Sequence, residues 1–171
     1  MHDAAFLFVA RAVSTQRLDS RPLVAVELGA CNVNGSVRAL FHADTAWTGI
    51  DLRPGAGVDV VMAAEEYQPV RPVDVVVTTE TLEHAPGWRD IIVNAAGMLR
   101  APGWLIVTAA GPGRTPHGCD GGSVGDEHYA NIDPDALLDA LNAAGFSASM
   151  VETNDVAGDV YGLGIMQGAQ P

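Results

Sequence analysis

The sequence contains no lysine. All 9 of its basic residues are arginines, set against 21 acidic residues, and the formal charge is −12. The arginines do not cluster, so a nucleic-acid backbone would be repelled and is not an expected partner. Cysteine is almost absent: Cys31 and Cys119 are too few for a disulfide framework and too far apart for a zinc knuckle, so reduced thiols are expected. Long hydrophobic runs are missing too. The N-terminal MHDAAFLFVARAV is apolar only briefly and has no basic leader, which fits neither an export signal nor a membrane span and points to a cytoplasmic location. Internal repeats and low-complexity tracts are not evident.

What is present is a globular composition, 48% hydrophobic and 18% charged over 171 residues, the length of about one domain. A single domain over 1–171 is expected, with residues 3–18 forming an amphipathic helix that Pro22 ends. Short valine-rich apolar runs follow at 23–28, 46–52, 58–62, 73–79 and 104–110, bounded by glycine or proline and suited to strands buried on both faces of a parallel sheet. Helical patterns at 35–43, 87–100 and 133–145 alternate with them, which predicts an α/β sandwich. Trp88, Ile91, Ile92, Ala95, Met98 and Leu99 build one apolar stripe, and Trp88 and Trp104 read as core residues. In the last helix Asp133 can cap, Pro134 suits the first turn and Gly145 suits the left-handed close. FSASMVET and VYGLGIMQG then read as a hairpin around Asn154–Asp159. The stretch from Asp51 to Val58 is too short for a crossover helix, so a trimmed loop is expected there.

In an open parallel sheet ligands bind beyond the carboxyl ends of the strands, where strand order reverses. The first apolar run closes on Glu27 and drops into Gly29, followed by small and amide side chains. Glu27 offers an acceptor for an amine, and a helix starting near Gly35 and Ser36 would offer its positive end to a carboxylate. The next run ends on Asp51, roughly 20 residues beyond Gly29, where a carboxylate can take both hydroxyls of a ribose. Together the two positions imply a nucleoside ligand that also carries an amino-acid group.

The stretches VELGACNVNGSVR, WTGIDLRPGAGVDVV, VDVVVTTETLEHAPGW, MLRAPGWLIVTA and LNAAGF occur in the order and spacing of Rossmann-like, class I S-adenosylmethionine-dependent methyltransferases. The resemblance is closest to the small type 11 group and spans residues 23 to about 150. It implies a three-layer sandwich around a mostly parallel seven-stranded sheet with the last strand antiparallel, S-adenosylmethionine as cofactor, and methyl transfer to a small-molecule acceptor. It also implies that Glu27, Gly29 and the neighbouring Ala30, Cys31 and Asn34 hold the methionine portion and Asp51 the ribose. Leu52, Met62 and Ala63 would flank the adenine, and Thr79 and Glu80 would lie near the transferred methyl. Where the family carries further glycines, this chain has Cys31 and Val33.

Candidate groups for taking a proton from the acceptor are His84, in ETLEHAP, and His128 and Tyr129, in the long polar loop 111–132, which is expected to be flexible and to face the acceptor. That loop also holds His117, Cys119, Asp120, Asp126 and Glu127, but their spacing matches no familiar ligand pattern and no metal is assigned. Acceptor choice would rest with segments 1–20 and 111–132, which carry no recognisable code; oligomeric state is open. Two other functions are consistent with parts of the pattern. A nicotinamide-dependent oxidoreductase would use the same aspartate but should carry G-x-G-x-x-G, which is missing. A non-catalytic or degenerate S-adenosylmethionine-binding module would bind the cofactor weakly or not at all.

Overall fold

The computed structural model describes residues 2–168; Met1 and residues 169–171 lie outside the described residues. Three α-helices are found among them, α1 (Asp3–Thr15), α2 (Trp88–Met98) and α3 (Pro134–Ala143). The strands are β1 (Val24–Leu28), β2 (Ala46–Asp51), β3 (Val60–Val61), β4 (Val73–Thr79), β5 (Leu99–Ala110), β6 (Ala148–Asn154) and β7 (Asp159–Met166). They form one seven-stranded sheet in the order β3-β2-β1-β4-β5-β7-β6. Strands β1 to β5 run parallel, and β7 lies antiparallel between β5 and β6. The chain therefore has the α/β architecture expected of it, including the antiparallel last strand.

β4 is the central strand, and its valines explain why. Val76 packs into one apolar cluster with Ile91, Ile92, Leu137 and Leu141 of α2 and α3, while Val75 and Val77 point the other way, into a cluster with Phe8, Val9 and Val13 of α1. All three valines are fully buried, each side chain contributing about 1.5 kcal/mol or more. An alternating apolar–polar pattern would leave one of these layers without a partner.

Four segments differ from the expected elements. α1 closes at Thr15 rather than 18, the chain turning at Arg17 with φ +55° well before Pro22. The helix expected at 35–43 is only a 3-10 turn at Arg38–Leu40, with Val37 and Phe41 buried on either side of it. A nine-residue stretch opening on Gly35 nucleates an α-helix poorly, and burial of those two anchors sets its path instead. Next, α2 ends at Met98 rather than 100, and β5 starts at Leu99 rather than 104. Val73 pairs with Leu99 but Val75 with Trp104, so the stretch around Pro102 bulges out of the ladder before regular pairing begins. Finally, β3 is only two residues long, yet it does pair parallel with β2, Ile50 opposite Val60. The loop from Leu52 to Asp59 reaches that position because it has no bulk where it crosses the turn after β1: a Cβ on Gly55 would stand 2.6 Å from Cys31 Sγ, and one on Gly57 2.7 Å from the Ala30 carbonyl oxygen.

Candidate functional site

β1 neighbours both β2 and β4, so strand order reverses at β1 and a crevice opens beyond its carboxyl end. A cleft of about 880 Å³ lies there, lined by the turns after β1, β2 and β4 together with part of the loop after β5. Gly29 turns the chain out of β1 at φ +77°, and a Cβ there would overlap the Thr81 side chain. The lack of bulk just after Glu27 is thus required first by a neighbouring turn of the protein, before any ligand is considered.

Glu27 and Asp51 end adjacent parallel strands and line the same cleft. Glu27 is 5% exposed, and Arg38 Nε donates to its Oε2 at 2.7 Å. Burial nonetheless pushes its pKa above the ordinary carboxylate value, with Arg38 pulling the other way. Arg38 also donates to the Gly57 carbonyl at 2.7 Å and lies over the Trp47 ring, so it ties the β1 end to the loop after β2. Asp51 accepts from the Cys31 amide at 3.0 Å through Oδ2 and from the Arg53 amide at 3.0 Å through Oδ1. Each carboxylate oxygen keeps one lone pair for a further donor, the pattern a vicinal diol needs.

The loop after β1 uses most of its own donors. The amides of Gly29, Ala30, Cys31, Asn32, Val33 and Gly35 all donate within the protein. With no α-helix at 35–43 there is also no helix N-terminus to receive a carboxylate, as the sequence had suggested. Asn34 and Ser36 line the cleft, and both side chains can donate hydrogen bonds.

On the far side of β1, Glu80 follows β4 at φ +52°, a conformation that costs a non-glycine residue roughly 1–3 kcal/mol. It is fixed twice to β5: its amide donates to the Thr108 carbonyl at 2.8 Å and its Oε1 accepts from Thr108 Oγ1 at 3.0 Å. Beyond it, Glu83 is fully buried, and its carboxyl is pushed up to about 8, first by burial and then by Glu80. The amides of Glu83 and Ala110 pull it the other way without meeting hydrogen-bond geometry. The rings of His84, His117 and Tyr129 pack edge to face with centroids 5.1 to 5.6 Å apart. Burial is the main cause that lowers the His84 pKa, with the His117 charge second, which favours the neutral imidazole.

Of the residues singled out from the sequence, Glu27, Gly29, Ala30, Cys31, Asn34, Asp51, Leu52, Thr79, Glu80, His84 and His128 line the cleft. Met62, Ala63 and Tyr129 are not among the lining residues; Ala64 and Glu65 stand where the former two were expected. Sequence reasoning passed over Arg38, Thr81 and Arg114. Their partners lie 11, 53 and 45 positions away, Glu27, Leu28 and Asp159 respectively, and no local motif marks such pairings.

No family model and no curated protein matches the chain. Solved structures do. The 1,6-didemethyltoxoflavin-N1-methyltransferase of Burkholderia thailandensis, with 1,6-didemethyltoxoflavin and S-adenosylhomocysteine bound, superposes at a TM-score of 0.69 and 15% identity over 96% of this chain and 79% of its own. Magnesium protoporphyrin IX methyltransferase from Synechocystis, with bound S-adenosylmethionine, gives 0.65 and 15% over 95% and 78%. The N-methyltransferase NodS from Bradyrhizobium japonicum, with S-adenosylhomocysteine, gives 0.59 and 16% over 91% and 85%. The chain has the Rossmann-like fold that these class I methyltransferases share.

Proposed function

We propose that the cleft binds S-adenosylmethionine and that the protein transfers its methyl group to a small-molecule acceptor. The observation that carries this reading is the pairing of Glu27 and Asp51: two acids on the ends of adjacent parallel strands, in one cleft at the switch point, on a fold shared with methyltransferases. In this reading Asp51 takes the ribose hydroxyls on its two unused lone pairs. Glu27 takes the ammonium group, Asn34 and Ser36 the carboxylate, and Leu52 with Ala64 a face of the adenine. The toxoflavin and protoporphyrin enzymes act on small molecules, which supports an acceptor of that class here.

The sulfonium is a cation and an intrinsic leaving group, so the chain's own task is to position it, exclude water and manage one proton. Thr79 and Glu80, at the end of the central strand, lie where the methyl would sit, and the Glu80 carboxylate attracts the sulfonium charge. Bound there, S-adenosylmethionine would supply its methyl carbon to a lone pair of the acceptor, the carbon–sulfur bond giving way to leave S-adenosylhomocysteine. Any proton released would pass to an imidazole in the cleft, that of His84 or His128.

Calorimetry with S-adenosylhomocysteine tests the reading. Wild type should bind, and Asp51→Ala should lose about 1.5 to 3 kcal/mol, removing a charge-assisted hydrogen-bond site. Preference for a nicotinamide dinucleotide would make the protein an oxidoreductase, and no binding of either would make it a degenerate module.

A further inference from the structure

The turn after β4 and the loop after β5 bring one carboxylate and two imidazoles together. A carboxylate oxygen of Glu83 and one ring nitrogen each of His84 and His117 all lie within 4.8 Å of one another. Glu83 is 0% exposed, and among the described residues neither of its oxygens, nor Nδ1 of His84, has a hydrogen-bond partner. A carboxyl withdrawn from water is hydrogen-bonded, ion-paired or bound to a metal, or else it is held neutral by a proton that a metal ion can replace. Among the described residues neither oxygen of Glu83 has a hydrogen-bond partner and no basic side chain pairs with it. The second histidine is oriented as a ligand would be: His117 Nδ1 lies 3.1 Å from the Thr115 carbonyl, and a donor role there leaves the Nε2 lone pair free.

We propose that Glu83, His84 and His117 bind a divalent first-row transition metal such as zinc in the wall of the cleft. Imidazole nitrogen with carboxylate oxygen is the donor set such ions take, and hard cations such as magnesium are poorly served by two imidazoles. Ligands about 2.1 Å from a tetrahedral zinc stand roughly 3.4 Å apart, so the three donors need to close by no more than about 1.4 Å. His84 and His117 both line the cleft, so the remaining coordination positions open into it, as in sites where a metal meets a substrate. Tyr129 packs on both imidazoles and holds their planes.

A second group, His2, Glu80 and Asp159, is equally compact but needs no cation. Asp159 already accepts from Arg114 Nη1 at 2.6 Å and from the Tyr161 hydroxyl at 2.6 Å, and Glu80 accepts from Thr108. The metal site itself stands independently of the methyl-transfer reading. Its use rests on that reading: the ion would hold an anionic oxygen or a nitrogen of the acceptor beside the methyl group, with His84 as a ligand and His128 left as the base.

The test is titration of chelator-treated full-length protein with Co2+ and Zn2+, by calorimetry and by the visible ligand-field absorption of Co2+. One equivalent of Co2+ should bind with a spectrum of nitrogen and oxygen ligands and be displaced by Zn2+. Glu83→Gln and His117→Ala should each weaken binding at least tenfold, whereas His2→Ala should leave it unchanged. Absence of saturable binding in the wild type, or binding retained in both site variants, overturns the proposal, as does loss confined to His2→Ala. His117 lies in a loop without helix or strand, so its variant decides the matter should Glu83→Gln fold poorly. S-adenosylhomocysteine binding, measured without metal on the same samples, reports on the methyltransferase reading separately.

Discussion

Glu27 is held between opposing influences. Burial raises its pKa above the ordinary 4.5, and the guanidinium of Arg38 offsets part of that shift. The folded state therefore binds this proton more tightly than the unfolded chain does. The stability Glu27 contributes is present in full below pH 4.5 and is lost as pH rises through the folded-state value. Glu27→Gln abolishes the titration, so the urea midpoint of the variant should gain on that of the wild type as pH is raised across this window. Parallel pH profiles for the two proteins would assign the titration to another group. At this scale Glu27 and Asp51 are legible in the sequence, because an acid at the end of a buried apolar run has few places to be. Arg38 is not legible, since the same arginine in GSVRALFHA would serve equally well on the solvated face of a helix.

Among the helices, α3 has the most complete sequence punctuation, and its expected cap and closing glycine are both found. α3 opens on Asp133, whose Oδ1 accepts from the Ala136 amide at 3.0 Å, continues through Pro134 and is closed by Gly145 at φ +91°. Asp133→Ala should cost about 1 kcal/mol, the usual loss for an N-cap, read as a lower urea midpoint with an unchanged slope. An unaltered midpoint would mean that packing of Leu137 and Leu141 alone holds the helix. The segment 35–43 has no such signals, and its apolar residues are spent as anchors rather than as a helical stripe. Likewise the start of β5 at Leu99 was hidden, because Pro102 and Gly103 look like an ending until the central strand supplies a partner for Leu99.

At the scale of the whole molecule, Arg114 joins parts that are remote in sequence. It donates to Asp159 in β7 at 2.6 Å and to the Ala157 carbonyl at 3.2 Å, and it approaches Glu80 after β4 and His2 before α1. The Asp159 side chain is 0% exposed, so removing its cation strands a charge in the interior. Arg114→Ala should therefore destabilise the protein by roughly 3 kcal/mol, and Arg114→Lys by less, because breaking a buried pair costs more than the pair itself contributes. Equal midpoints for wild type and Arg114→Ala in thermal or urea unfolding would show that water or His2 compensates Asp159 instead.

The order of buried runs, the caps of α3 and the acids at two strand ends could be stated from the sequence by itself, since each depends on residues close together in the chain. Hydrophobic periodicity and capping are short-range properties, and they carry the α/β class and the parallel sheet with them. Only the tertiary structure decided that Gly29 is small for the sake of Thr81 and that Arg38 closes onto Glu27. It alone also brought Glu83 and His84 against His117, from across the loop after β5. Those arrangements depend on which turns meet at one edge of the sheet, and that is set by strand order, a long-range outcome of packing that no local pattern encodes.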